Sequence, residues 1–429
     1  MKMSKINVIG AGLAGVEAAF FLANKGHEVH LFEKRPHKMT PAHQSGLFGE
    51  LVCSNSLKSN RLDNACGLLK EEMRAMQSLT MEAASFSSVP SGNALSVDRE
   101  QFAKLITEKI RQNANIFVHS EDVKRLPDEL TVLATGPLTS DELVDDISNI
   151  IGVKALSFYD ASAPVISKDS INLNIAYYKS RYEQGDDSYI NCPFSRDEYY
   201  HFVDELQKAE TVKLRDFESQ YFEGCLPIEV LAKRGVDTLR YGPLKPKGLA
   251  LDRSRPPYAV VQLRQDNLIA TLYNIVGFQT NLTYREQERV FRLIPGLESA
   301  EFERFGLMHR NTYINSPLAL NDNLTIKNKD NIIVAGQLSG VEGYVESAAT
   351  GIIAGIIAHH IAIGKEAPIP PSSTMIGSLI RYITKANPHG FSPMNANFGV
   401  LANADKRHRQ KDAEKALAAI KEYWTSANE

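Results

Sequence analysis

Two cysteines stand where a thiol can do chemistry. Cys53 lies in ELVCSNSLKSN, among serines, asparagines and a lysine, and Cys225 lies in FEGCLPIEV, after a glycine and before Leu-Pro. A structural cysteine is commonly a small buried side chain with apolar neighbours. Neither of these has a second Cys or His at ligand spacing beside it, so zinc is not indicated and the question is what each sulfur faces. The other two, Cys66 in DNACGLLKEEM and Cys192 in INCP, read as structural. Four cysteines are too few for a disulfide framework, and there is no CxxC pair, which fits a reducing cytoplasm.

Elements that must position such groups are clearest at the N-terminus. INVIG is a β-branched run, GAGLAG follows without a gap, VEAAFFLANKG has helical spacing, and EVHLFE is a second strand ending in Glu33. This is a βαβ unit with a dinucleotide fingerprint. Gly10 permits the tight turn, Gly12 lets backbone approach a pyrophosphate, and Gly15 allows the helix to pack closely. Ala11, Leu13 and Ala14 complete the loop, whose helix N-terminus offers N–H groups to phosphate. Glu33, 18 residues beyond Gly15, is placed to accept from the adenosine ribose.

Two later segments choose the dinucleotide. ELTVLATG ends a strand at Gly136, and NIIVAGQLSGVEGYVESAATGIIAG is a strand, a glycine loop and a small-residue helix carrying Gly336, Gln337, Gly343 and Tyr344. Flavoproteins of the glutathione-reductase type use this layout, returning a helix N-terminus to the flavin pyrimidine, where charge collects on reduction. FAD is therefore expected; the alternative for the returning segment is a packing helix. The fold class is α/β, a Rossmann-like FAD-binding domain in two parts, residues 1–151 and 316–370, around an inserted α+β domain, 152–315, with a helical C-terminal segment, 371–429. Within the insert, RPPYAVVQLRQ and TLYNIVGFQT read as strands and SRDEYYHFVDELQKAE as an amphipathic helix. The start, MKMSKINVIG, enters a strand at once, with no room for a leader, and the longest apolar stretch, GIIAGIIAHHIAIG, is about 14 residues and reads as a buried helix. No membrane partner is expected.

The formal net charge of −3 argues against a general polyanion binder, but residues 376–411 hold six basic side chains and one acid. Lys406, Arg407 and Arg409 are the centre of this stripe and candidates for RNA phosphate; a solvated helix face is the alternative.

Longer motifs spread over residues 5–400 carry a resemblance: NVIGAGLAG, RPHKMTPAH, ELVCSNSLKSN, GLLKEEMR, FEGCLPIEVLAKRG, VVQLRQDN, LYNIVGFQT, RVFRLIPGLE, MHRNTYINSP and AGQLSGVEGYVESAATG. Together they resemble the folate- and FAD-dependent tRNA (uracil-5-)-methyltransferases. That resemblance implies transfer of the one-carbon unit of methylenetetrahydrofolate to C5 of a uridine in the tRNA T-loop, with reduced FAD as electron source and NAD(P)H as external reductant. It implies Cys225 as the thiol that adds to C6 of the base and Cys53 as a second thiol near the flavin, whose Ser54, Asn55 and Ser56 surroundings are suited to bonding a thiolate or a uracil edge. His309 and His43 are candidates to stack on the pterin, as is Tyr344 on the flavin side. The same methylation of a ribosomal uridine, and a flavin-containing RNA-binding factor without turnover, stand as alternatives. An alternative RNA face lies around Arg240, Arg264 and Arg310.

Overall fold

The computed structural model describes residues 3–181, 187–212, 226–252, 254–402 and 407–428. Strand β1 (Lys5–Ile9) is buried along almost its whole length, as a central strand of a parallel sheet must be. Helix α1 (Leu13–Asn24) and strand β2 (Glu28–Glu33) complete the βαβ unit. β1 pairs in parallel with β2, Lys5 opposite Glu28, and on its other edge with Thr131–Leu133. Beyond those lie Ile116–Ser120 beside β2 and Lys329–Val334 beside Thr131–Leu133, both parallel. Thr325–Ile326 closes the six-stranded sheet in antiparallel sense.

Close approach explains the glycines of this layer. A Cβ at Gly15 would lie 1.8 Å from the carbonyl oxygen of Gly10, so α1 sits directly on the turn that precedes it. Gly10 itself has φ +100°, a conformation that favours glycine. The helix Tyr344–Ala362 is apolar on every face and buried against α1, the pattern of a core helix. It runs 19 residues, longer than the stretch of about 14 read from the sequence, and by length and composition it could cross a membrane, but it lies inside the protein. Gly351 brings it onto the backbone of Ala14, and Gly355 onto Ala18 and Phe21.

A second core lies outside this sheet. Six antiparallel strands run in the order Tyr177–Tyr178, Ile190–Phe194, Ala259–Gln265, Leu272–Ile275, Val165–Ser167 and Phe302–Arg304. Helices Arg196–Lys208, Ile228–Lys233 and Tyr284–Phe291 bury Phe202, Ile228 and Phe291 against it. The first of these helices starts at a capping box, in which Ser195 and Glu198 each satisfy the other's backbone N–H. The chain enters this body along Leu156–Ala161 and leaves it along Met308–Tyr313, and the two segments pair antiparallel over six positions. The C-terminal helices Met375–Lys385 and Arg409–Ala427 pack back on the first core through Ile376, Leu379, Ile383, Ala416 and Ile420.

The two helix glycines differ in what a methyl group would strike, which makes the packing testable. At Gly351 a Cβ would fall 2.2 Å from the Ala14 carbonyl oxygen and 2.6 Å from its Cα, all rigid backbone, whereas at Gly355 the nearest atoms are 3.1 Å and 3.2 Å away. Gly351→Ala should therefore destabilise by about 3 kcal/mol and Gly355→Ala by about 1 kcal/mol or less, compared by denaturant unfolding. Equal costs would show that the two helices do not rest on Gly351.

Candidate functional site

The glycine loop opens into a cleft lined by Gly10, Gly12, Leu13 and Ala14 on one side, Gly136 on another, and Gly336, Gln337 and Tyr344 across from them. Three separate stretches of sequence thus meet in one groove. A Cβ at Gly12 would have nothing within 4 Å, so this glycine borders open space rather than a packing partner. Ala11 and Gly15 lie behind it, Ala11 fully buried. Residues 10–15 and 33 fit a dinucleotide: a bare backbone rim at a helix N-terminus, with an acid at the end of the next strand.

Glu33 is 7% exposed and already engaged. It accepts the Ala11 N–H at 2.9 Å and the Arg35 N–H and Nε at 3.1 Å and 2.9 Å. Burial raises its pKa, but the hydrogen bond and charge of Arg35 and the backbone N–H groups outweigh this and hold it below the ordinary carboxylate value. Its stabilising effect is therefore complete at neutral pH and is lost as the pH falls through that depressed value. Arg35 is a residue the sequence reading passed over, although the quoted RPHKMTPAH contains it; it also reaches Glu50 at 3.3 Å.

Cys53 follows Val52, which lines this groove, and its loop is held from several directions. The Tyr344 hydroxyl accepts the N–H groups of Cys53 at 2.7 Å and Ser54 at 3.3 Å. The Arg99 guanidinium donates to the carbonyls of Leu51 and Cys53, each at 3.3 Å, and pairs with Asp266 of the second body at 3.0 Å. Arg264 donates to Asn55 Oδ1 at 3.0 Å and Ser54 Oγ at 2.7 Å. These contacts correct two expectations. Asn55 is not available to a thiolate or a uracil, because its Oδ1 accepts from Arg264 and its Nδ2 donates to the carbonyls of Val97 and Gln265 in the junction between the two bodies. Arg264 is buried there and belongs to no RNA-facing surface. The Cys53 sulfur points to the carbonyl of Ala161 at 3.5 Å. Burial first, and then the charge of Asp160, push its pKa up, so the thiol is neutral in this state.

Tyr344 accordingly acts through its hydroxyl on backbone. Behind it, Glu342 is 6% exposed and hydrogen-bonded to the Gln337 amide. Burial and then the Asp160 charge raise its pKa to about 8, which makes it a neutral acid at pH 7. No local sequence signal marks Glu342 or Asp160, because their significance arises only from their juxtaposition.

A second, broader cleft of about 930 Å³ adjoins the first, sharing Lys34, Thr40, Pro137 and Thr139 with it. This is within the range of a site for a small organic molecule. His43 lines the first cleft and His309 the second. His43 is bonded through Nδ1 to Thr40 Oγ1 at 2.6 Å, and burial, followed by the Arg35 charge, lowers its pKa to about 3, so it is neutral. His309 is buried, with Nε2 3.9 Å from Asp160 and Nδ1 without a hydrogen-bond partner among the described residues.

Cys225 and Lys406 lie outside the described residues. The chain on either side of 213–225 is described: Val212 N–H bonds to Asn281, and Ile228 N–H to Gln279. Val212, Thr280 and Asn281 form part of the wall of the second cleft. Arg407 and Arg409 are exposed at the start of the C-terminal helix, Arg409 with its guanidinium 5.4 Å from the centre of the Phe398 ring. Cys66 and Cys192 are both buried, one in each core.

The fold and groove define an FAD-dependent oxidoreductase-like α/β protein. The solved structure of Aquifex aeolicus GidA in its form I crystal superposes with a TM-score of 0.74 at 16% identity, covering 99% of this chain and 76% of that one. Residues 5–366 match the family model described as glucose inhibited division protein A. Much nearer in sequence are proteins named methylenetetrahydrofolate--tRNA-(uracil-5-)-methyltransferase TrmFO. The one from Ligilactobacillus salivarius is 51% identical over 98% of both chains, and the one from Acetivibrio thermocellus is 52% identical over 97% of this chain and 98% of its own. This chain belongs to the TrmFO family.

Two substitutions separate cofactor binding from loop placement. Gly12→Val has room in the fold and an ordinary φ of −74°, so it should cost at most about 1 kcal/mol of stability yet remove most of the flavin absorbance of the purified protein; full occupancy would refute the groove as the flavin site. Tyr344→Phe leaves two N–H groups without their acceptor, at about 1–3 kcal/mol. In a Cys225→Ala background it should lower Tm and speed alkylation of Cys53, followed by mass spectrometry. An unchanged alkylation rate would mean that the loop is held without the hydroxyl.

Proposed function

We propose that this protein methylates C5 of a uridine in the tRNA T-loop, taking the one-carbon unit from methylenetetrahydrofolate and drawing reducing equivalents from NAD(P)H in the cytoplasm. Membership of the TrmFO family at about half identity over nearly the whole chain carries this reading. The chemistry agrees with the groove. Bound FAD supplies, once reduced, the two electrons that take a carbon from the oxidation level of formaldehyde to that of methyl.

C5 of a neutral uracil is a poor nucleophile. Addition of the Cys225 thiolate to C6 would make an enolate whose C5 attacks the donor carbon, and loss of the C5 proton would then expel the thiolate and restore the ring. Cys53 serves as a neutral thiol at the flavin rim, positioned by Tyr344 and Arg99. His43 and His309, on the joined clefts, are assigned to the pterin, and a neutral His43 ring at physiological pH suits stacking. Gly12, Glu33, Gly136, Gly336, Gln337 and Gly343 are assigned to FAD.

Arg407 and Arg409, with Lys406, are assigned to RNA phosphate. The place of Arg409 is informative: as the first residue of the helix Arg409–Ala427 it opposes the macrodipole, at about 0.3–1 kcal/mol, so helix stability gives no reason for it.

Purified protein given unmodified tRNA, methylenetetrahydrofolate and NAD(P)H should form 5-methyluridine, read by nucleoside mass spectrometry. Ribosomal RNA in the same assay is expected to stay unmodified. Cys225→Ala should keep its flavin and fold, lose at least about a thousandfold in rate, and fail to form the covalent adduct that the parent makes with RNA carrying 5-fluorouridine. Normal turnover in Cys225→Ala would end the nucleophile assignment.

A further inference from the structure

The second body carries a cleft that none of these roles uses. It measures about 720 Å³, and its wall includes Arg196, Arg240, Arg255, Tyr177, Tyr258 and Asp252. None of the three arginines has a carboxylate ion-pair partner among the described residues. Asp252, the acid in the wall, is taken up by the N–H and hydroxyl of Ser254 at 2.8 Å and 2.7 Å. Asp237, nearby, accepts the hydroxyls of Tyr200 and Tyr258, both at 3.3 Å.

Arg240 is rigidly placed. Its guanidinium lies 3.9 Å from the centre of the Tyr258 ring, and its Nε donates to the Tyr258 carbonyl at 2.7 Å. Hydrogen bonds from Ser254 hold Asp252 below the ordinary carboxylate value, so it keeps its charge; three guanidiniums against this one carboxylate still leave the wall a net positive charge that an anion relieves. Their planar forks match phosphate oxygens, and stacking on Tyr258 fixes that of Arg240 in advance of binding. Residues 226–258 carry seven basic and three acidic side chains, so the cleft lies in a stretch of positive excess comparable with that of the C-terminal stripe. Tyr241, beside Arg240, is 76% exposed and offers a face for an unstacked base.

The cleft is also at a defined remove from the flavin groove. Strand Ala259–Gln265 begins next to Tyr258 in the cleft wall and ends at Arg264 and Gln265, which bind Ser54 and Asn55. Six steps of a strand span about 20 Å. A group in the cleft therefore does not reach the Cys53 side of the flavin groove, but it can be another part of the same folded RNA.

We propose that this arginine–tyrosine cleft is a second contact for the RNA substrate, gripping phosphodiester groups of a stretch about 20 Å from the Cys53 loop at the flavin groove. The proposal rests on the reading of the substrate as RNA. Its test is binding of fluorescently labelled, unmodified tRNA transcript to the full-length flavoprotein at several salt concentrations. Arg196→Gln/Arg240→Gln/Arg255→Gln should raise Kd about tenfold and reduce the salt slope by about two charges. Flavin content and NAD(P)H oxidation without RNA should be unchanged, and methylation should recover at saturating tRNA. The lighter pair Arg196→Gln/Arg255→Gln leaves the Arg240–Tyr258 stack in place and should show a smaller shift in the same direction, which guards against misfolding of the triple variant. A parental Kd and salt slope in both variants, with a parent that binds and methylates tRNA, would overturn the cleft alone. A rise in the KM for NAD(P)H with RNA binding intact would overturn it in favour of a dinucleotide site. Failure of the parent to bind or methylate tRNA would overturn both the cleft and the function on which it rests.

Discussion

Everything in the site hangs on how the loop 51–55 is held. Leu51 anchors one end of this loop in the core, and charge-assisted hydrogen bonds fix the polar remainder. Arg99 binds two of its carbonyls while paired to Asp266, Arg264 binds two of its side chains, and the Tyr344 hydroxyl takes two of its N–H groups. Each partner comes from a different part of the chain: the helix Arg99–Gln112, the central strand of the second sheet, and the start of the long core helix. Buried arginine is costly to leave unpaired, so these contacts also fasten the two bodies together, and the position of the Cys53 sulfur is a property of the whole assembly.

Low dielectric governs the chemistry around that sulfur. Cys53 and Glu342 are both pushed toward their neutral forms by burial and by the charge of Asp160, while Glu33, at the other end of the groove, is held ionised by Arg35. The acid at the ribose end of the groove is thus ionised, while the thiol and the Glu342 carboxyl near Cys53 are held in their neutral forms. A thiol kept protonated in this way becomes reactive only when something relieves its desolvation or brings positive charge, and either event belongs to the arrival of a ligand.

What could be read in advance follows the range of the interactions involved. The fingerprint from Gly10 to Gly15 and Glu33 was legible because turn, helix start and strand end lie within one contiguous unit. The returning segment from Gly336 to Tyr344 was legible for the same reason, and the motif-level likeness pointed to the family that the relatives show. The junction was not. Arg264 looked like a surface cation because an arginine in VVQLRQDN carries no mark of burial, and its partners are some 210 residues away. Asn55 looked like a ligand to a thiolate because it is near it in sequence, yet a neighbour in the chain can point elsewhere.

The paired segments Leu156–Ala161 and Met308–Tyr313 have an architectural meaning. Leu156 lies opposite Tyr313, so the two points at which the chain departs from and rejoins the nucleotide-binding layer are strand neighbours, roughly 5 Å apart. A short turn would close the host at that place and leave its parallel sheet whole. The second body is in this sense a graft: its length and contents can change without altering the host sheet, provided that whatever stands there still reaches Ser54 and Asn55 with a cation. The fold leaves that body free to vary and ties its variation to the nucleotide-binding layer at one small polar seam.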